Sequence, residues 1–248
     1  MKKSIALLLA LSMLLALSAC GGTSGSKADA PTPVPTETPA EIPSPEPTEE
    51  PVPEPTEEPV EEPTEEADPV LGVYDENSFT YTNEFVGLGC QLDESWTLLD
   101  QAQIAELNGL VSELVTDEDA KKTLESAGMI QPFYALTEGG LVTVSIGIEN
   151  LGLLYGVLLN EQSYAEIGAE KLVPALESMG MTDVTSEIST MSFAGSEHVV
   201  ILVQGQLQGI DFYEALVCIK EDSYMVTVVA GSYLEDLTGM VLDMFYSL

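Results

Sequence analysis

The chain predicts an α+β domain, a single antiparallel sheet with helices packed on one face, preceded by a signal peptide and a disordered stalk. Three observations carry that expectation. After the stalk, strand-like stretches outnumber helical ones, and the last four are joined by links too short for parallel crossovers. Val142, Val144, Ile146 and Ile148 alternate with Thr143, Ser145, Gly147 and Glu149, the period of a strand with one wet face. Apolar residues at helical spacing recur between the strand groups and at the end of the chain, where they can dock on the other face.

The first 19 residues read as a lipoprotein signal peptide. Lys2 and Lys3 hold the start on the cytoplasmic side, and Ile5 to Leu17 form an apolar run of 13 residues with Ser12 its one polar member. That is signal-peptide length and too short to span a bilayer. Leu17-Ser18-Ala19-Cys20 follows, with Gly21 behind it. Small Ser18 and Ala19 fit the narrow subsites of a peptidase. A Leu three places before a Cys resembles the lipobox of bacterial lipoproteins, whose cysteine takes a diacylglyceryl group and becomes residue one. Leu17, Ser18 and Ala19 are thus the expected recognition residues and Cys20 the lipidation site. Two or more acyl chains (palmitate is the common case) anchor stably, because each buried methylene contributes about 0.8 kcal/mol.

Residues 20–69 are the lipidated cysteine and the stalk. Thirteen of the chain's 15 prolines fall from Pro31 to Pro69, and Pro-Thr-Glu-Glu recurs at Pro47, Pro55 and Pro63. The stretch has no aromatic or basic residue, so it buries too little apolar surface to offset its ordering entropy. Closely spaced prolines and like charges favour an extended polyproline II spacer, spanning about 120 Å.

Residues 70–248 are the expected α+β domain, long enough for a sizeable core. Ser78 to Thr82 and Val86 to Leu92 read as strands, with Asn83-Glu84 turning the first. Trp96 is expected to plug one end of the core. Asp100 caps a helix through Ile104, Leu107, Val111 and Leu114, and Thr116 or Asp117 caps a second that ends at Gly128. Ile130 to Thr137 is a strand in which Pro132 implies an edge or an entry position. Glu138-Gly139-Gly140 turns it into the alternating strand. Leu151 to Leu159 is read as a short helix. Ser163 opens a firmer one to Met179, with a kink or restart at Pro174, and Gly180 stops it. Four strands follow, about Thr182 to Phe193, Glu197 to Gln206, Ile210 to Lys220 and Ser223 to Ala230. A last helix is expected from Glu235 to Tyr246.

Charge excludes several functions. The net charge is −35 and there is no arginine. From Pro69 onward 28 acids face four lysines, leaving −24. Nucleic acid is excluded as a partner, since its binding rests on neutralising phosphates. Anionic substrates lack a guanidinium fork. The domain is repelled by anionic headgroups, so lipid holds one end while charge pushes the other outward. Once Cys20 is lipidated, Cys90 and Cys218 remain. Both sit in strand-like stretches, as two buried thiols or as one bridge.

Tyr81-Thr82-Asn83-Glu84-Phe85, then Gly87-Leu88-Gly89 and Trp96, resemble the opening of PsbP-like α/β-sandwich domains. Ala194 to Leu248 resembles the close of the same family, particularly as it occurs in stalked Gram-positive surface lipoproteins of unassigned role. One departure is Asp93-Glu94-Ser95, where the family often has a proline before the tryptophan. The resemblance implies a binding or scaffolding module rather than an enzyme.

No catalytic constellation stands out. His198 is the sole histidine, and there is no Gly-x-Ser-x-Gly elbow or His-Glu-x-x-His pair. Asp75-Glu76-Asn77 and Asp117-Glu118-Asp119 lack the EF-hand pattern and read as solvated turns. Gly87-x-Gly89 and Gly139-Gly140 have no following lysine to make a phosphate loop. The expectation is therefore a membrane-anchored extracytoplasmic lipoprotein with no metal, no cofactor and no catalysis, whose domain binds a protein, a cation or a neutral glycan. Two alternatives stand beside it: a cell-surface glycan hydrolase using two carboxylates, and a purely structural envelope component.

Overall fold

The computed structural model describes residues 71–114 and 129–248. The leader, the stalk and the helix expected before Gly128 lie outside the described residues. In chain order the elements are β1 (Val73–Asp75), β2 (Thr80–Asn83), β3 (Leu88–Gln91), β4 (Trp96–Leu98) and α1 (Gln101–Leu114). Then come β5 (Met129–Thr137), β6 (Val142–Asn150), α2 (Gly152–Leu158) and α3 (Glu161–Ser178). The chain closes with β7 (Met181–Phe193), β8 (Ser196–Leu207), β9 (Ile210–Glu221), β10 (Tyr224–Tyr233), α4 (Thr238–Leu242) and β11 (Phe245–Ser247).

The strands form two antiparallel sheets, not one. The larger has seven strands in the order β4-β5-β6-β10-β9-β8-β7, and the smaller has four in the order β1-β2-β3-β11. The expected single sheet with helices on one face is therefore wrong. Helix α3 covers one face of the seven-stranded sheet, where Leu172, Ala175 and Leu176 join a core with Ile201, Leu216 and Val229, whereas α4 packs on the other face through Val241 and Leu242. The four-stranded sheet covers the opposite face, where Tyr81, Leu88, Cys90 and Phe245 meet Phe133, Ile146, Val217 and Val228.

The alternation that implied a wet face misled because both faces of the central strands are covered. Thr143, Ser145 and Glu149 are buried on the helix side, while Val144, Ile146 and Ile148 are buried on the small-sheet side. In β10 every residue after Tyr224 is buried, the behaviour of a strand covered on both faces. The helix expected from Glu235 to Tyr246 also differs, spanning only Thr238–Leu242. Phe245 and Tyr246 leave the helical stripe after Leu242 and pair with Cys90 and Gly89. Gly89 makes that pairing close: a Cβ there would lie 2.3 Å from the Tyr246 ring, which occupies the space a side chain would need.

The Asp100 cap and the placement of Pro132 agree with the sequence, while α3 departs from it. The Asp100 carboxylate accepts the Gln103 N–H at 2.8 Å, and the Gln103 side chain accepts the Asp100 N–H at 2.9 Å, which caps α1. Pro132 sits where the β5–β6 register shifts between Ile130 and Phe133, and β4 pairs only from Ala135 onward. No ladder donor is lost at that edge. α3 begins two residues earlier than expected, capped by Asn160 with Ser163 reciprocating, and it runs on through Pro174 as one element. Ala194-Gly195 and Gln208-Gly209 each have positive φ at both positions, the turn whose twist matches its flanking strands.

Candidate functional site

Leu17, Ser18, Ala19 and Cys20 lie outside the described residues, as does the Asp117-Glu118-Asp119 cluster. The chemistry of the described domain is concentrated in three places: a buried carboxyl, a carboxylate clamp and the free edge of the large sheet.

The buried carboxyl is Glu214. On β9 it shares a face with Phe212, Leu216 and Cys218, all in the helix-side core. It is 2% exposed, and neither carboxyl oxygen has a hydrogen-bond partner. Burial pushes its pKa well above the usual carboxylate value, so the group is held as a neutral acid. Register places Gly231 between Glu214 and Thr143, whose hydroxyl is also buried and unpartnered. Burial, and then Glu214 once it ionises, likewise raise the Tyr233 phenol. The strand pattern held the signal for Glu214: it sits in phase with apolar Phe212, Leu216 and Cys218 and so had to face inward.

Glu149, the second buried acid, accepts the Tyr164 hydroxyl at 2.9 Å. It stands opposite Met225, whereas Glu214 stands opposite Gly231, six residues further along β10. That separation is about 20 Å, too long for the paired carboxylates of a glycosidase.

The clamp is Glu161, in the first turn of α3. Its carboxylate accepts the Val199 and Lys220 backbone N–H groups, each at 3.1 Å, and lies 2.9 Å from His198 Nδ1. Strands β8 and β9 stay in register only from Val199 and Cys218 inward, so Glu161 supplies acceptors where the ladder ends. With a carboxylate on Nδ1, the imidazole carries its proton there. His198 also packs edge-on to Phe193, with ring centroids 6.4 Å apart. The histidine helps tie a helix to a sheet; among its described contacts there is no nucleophile to activate. Glu161→Ala should cost about 1–2 kcal/mol, since two backbone donors lose a partly exposed charged acceptor. Glu161→Gln should cost less, and urea unfolding of both variants would rank them.

The third place is the outer edge of β7, the end strand of the large sheet. A hollow of about 410 Å³ with a mixed wall opens beside its last residues, bounded by Met191, Phe193, Leu242, Asp243, Phe245 and Tyr246. A smaller one of about 170 Å³ lies near its start, where Asp183 and Asp211 face Gln204 and Tyr213. Asp211 there accepts the Gln206 amide at 2.8 Å.

Among the described residues no cluster of three His, Cys, Asp or Glu side chains could hold a metal ion. Asp75 instead accepts from the Asn77 backbone, the Asn77 side chain and Ser78, bonds that lower its pKa. Trp96 is half-buried on the small-sheet core. Asn83, from the motif that carries the resemblance, is buried and its side-chain oxygen accepts the Phe85 and Val86 N–H groups. Its role is to hold a turn.

No protein-family model matches the chain, and no curated protein matches it. The PsbP-like resemblance gains no support from either comparison. Among solved structures the chain is similar to LpqN, described as involved in cell envelope biogenesis of Mycobacterium tuberculosis. The match covers 63% of this chain and 76% of that one, at 10% identity and a TM-score of 0.30. A likeness that low carries neither family nor function.

Proposed function

We propose that this chain is an extracytoplasmic lipoprotein, anchored to the cell membrane through lipid on Cys20 and presenting its β-rich domain outward as a ligand- or partner-binding module. The observation that carries the reading is Leu17-Ser18-Ala19-Cys20 directly behind a charged start and a 13-residue apolar run. The domain's geometry supports binding. His198 is committed to Glu161, and the two buried acids stand far apart along β10. The long free edge of β7, with a hollow toward each end, offers a surface to a partner.

Replacing Cys20 by Ala should move the protein from the membrane pellet to the soluble fraction, and mass spectrometry of the wild type should show an acylated residue 20 as its amino terminus. An unmodified terminus beyond that residue would overturn the anchor. Crosslinking on intact cells, followed by recovery of the domain, tests the binding role. One hydrolytic alternative has an observation in its favour, the Asp183–Asp211 pair on one hollow. Turnover of a glycan panel, abolished by Asp211→Asn, would establish it.

A further inference from the structure

We infer that the free edge of β7 is a strand-addition site for an extended, basic segment of another polypeptide. The inference rests on the binding-module reading and names the partner's chemistry. β7 is 13 residues long and ends the seven-stranded sheet. Half of the main-chain groups of such a strand face away from β8, forming a ready template for another strand. Natural edges are commonly blunted by lysine, proline or extreme shortness. Met181 to Phe193 contains no lysine or proline. Its one irregularity is the register shift between Thr182 and Thr185, which leaves Thr185 to Phe193 regularly paired with β8, with no strand on the other side among the described residues.

The occupant follows from charge and from what the edge rejects. A second copy adding antiparallel, centred on the strand's midpoint, would set Glu187 opposite Glu187, and like charges directly opposite are unfavourable. The chain's own stalk is a poor strand, because its prolines lack N–H donors and its glutamates meet Asp183 and Glu187. A segment bearing lysine or arginine satisfies both terms: it pairs with Glu187 and reaches the Asp183–Asp211 hollow at one end. At the other end the mixed hollow beside Met191, Phe245 and Tyr246 takes an amphipathic side chain such as tyrosine. Backbone pairing supplies affinity, and the two hollows supply direction and choice.

The test uses detergent-solubilised full-length protein and a fluorescent synthetic peptide of alternating valine and threonine. The peptide carries lysines at its centre and at one end, and tyrosine near the other end. Saturable binding that weakens with salt is expected, with amide exchange slowed along Thr185 to Phe193. Glu187→Lys, at an exposed position, should weaken the lysine peptide about fivefold and strengthen a glutamate version. Ser192→Trp, exposed on the larger hollow, should weaken both peptides. Absence of binding, indifference to both variants, or exchange protection away from β7 would overturn the site. If crosslinking on cells meanwhile captures a partner through another face, the binding role stands and this inference falls alone.

Discussion

Phe133→Ala should lower the stability of the domain by about 3–5 kcal/mol, the range for emptying a large aromatic site in a packed core. Phe133 is fully buried on β5. It points from the large sheet to the small one, stacking on Tyr81 of β2 with centroids 4.4 Å apart and meeting Phe245 of β11 edge-on at 6.4 Å. The cavity it leaves would open between the two sheets. Tyr81→Ala should be costly as well, and the double variant should show a coupling of about 0.5–1.5 kcal/mol. Urea unfolding with an unchanged slope would measure all three. A loss below about 1 kcal/mol for Phe133→Ala would mean that the small sheet is not packed there.

Glu214→Met should stabilise the domain, by about 1–3 kcal/mol near neutral pH. The side chains are similar in length, and the substitution removes a buried acid whose two oxygens have no partner. The gain should depend on pH. Folding raises the pKa of Glu214 well above its ordinary value of 4.5. The folded state therefore holds a proton that the unfolded state has released. The stability tied to that proton is complete below the ordinary value and is lost as pH climbs through the folded one. Wild-type protein should weaken as pH rises above the ordinary carboxylate value of 4.5, more steeply than Glu214→Met does. Parallel curves for the two proteins would show that Glu214 titrates normally and reaches water or a partner.

The sequence made local structure legible because turns and caps are written in adjacent residues. Asp100 with Gln103, the alternation of Val142 to Ile148, and the paired positive-φ turns before β8 and β9 all act within a few positions. What covered each face was less legible. Thr143, Ser145 and Glu149 look like solvent-facing residues, yet they lie beneath the helical layer. Only long-range packing decides that a polar face is buried. The second sheet escaped notice because two of its strands, β1 and β11, are three residues long and come from opposite ends of the domain. Too short to show a period, they become strands through their partners. At the candidate sites, the Cys20 reading rests on a contiguous motif alone. The Glu161 clamp joins residues 37 and 59 positions apart, which no spacing rule anticipates.

Cys90 and Cys218 are both free and fully buried, the first in the core between the sheets and the second in the core beneath the helices. A whole sheet stands between them, and burial pushes each thiol up to about 12. The described domain thus needs no oxidative pairing step to finish folding. Neither sulfur offers a thiolate to oxidants while the domain stays closed. Their one chemically vulnerable interval precedes compaction, so rapid collapse is what shields both sulfurs from oxidants.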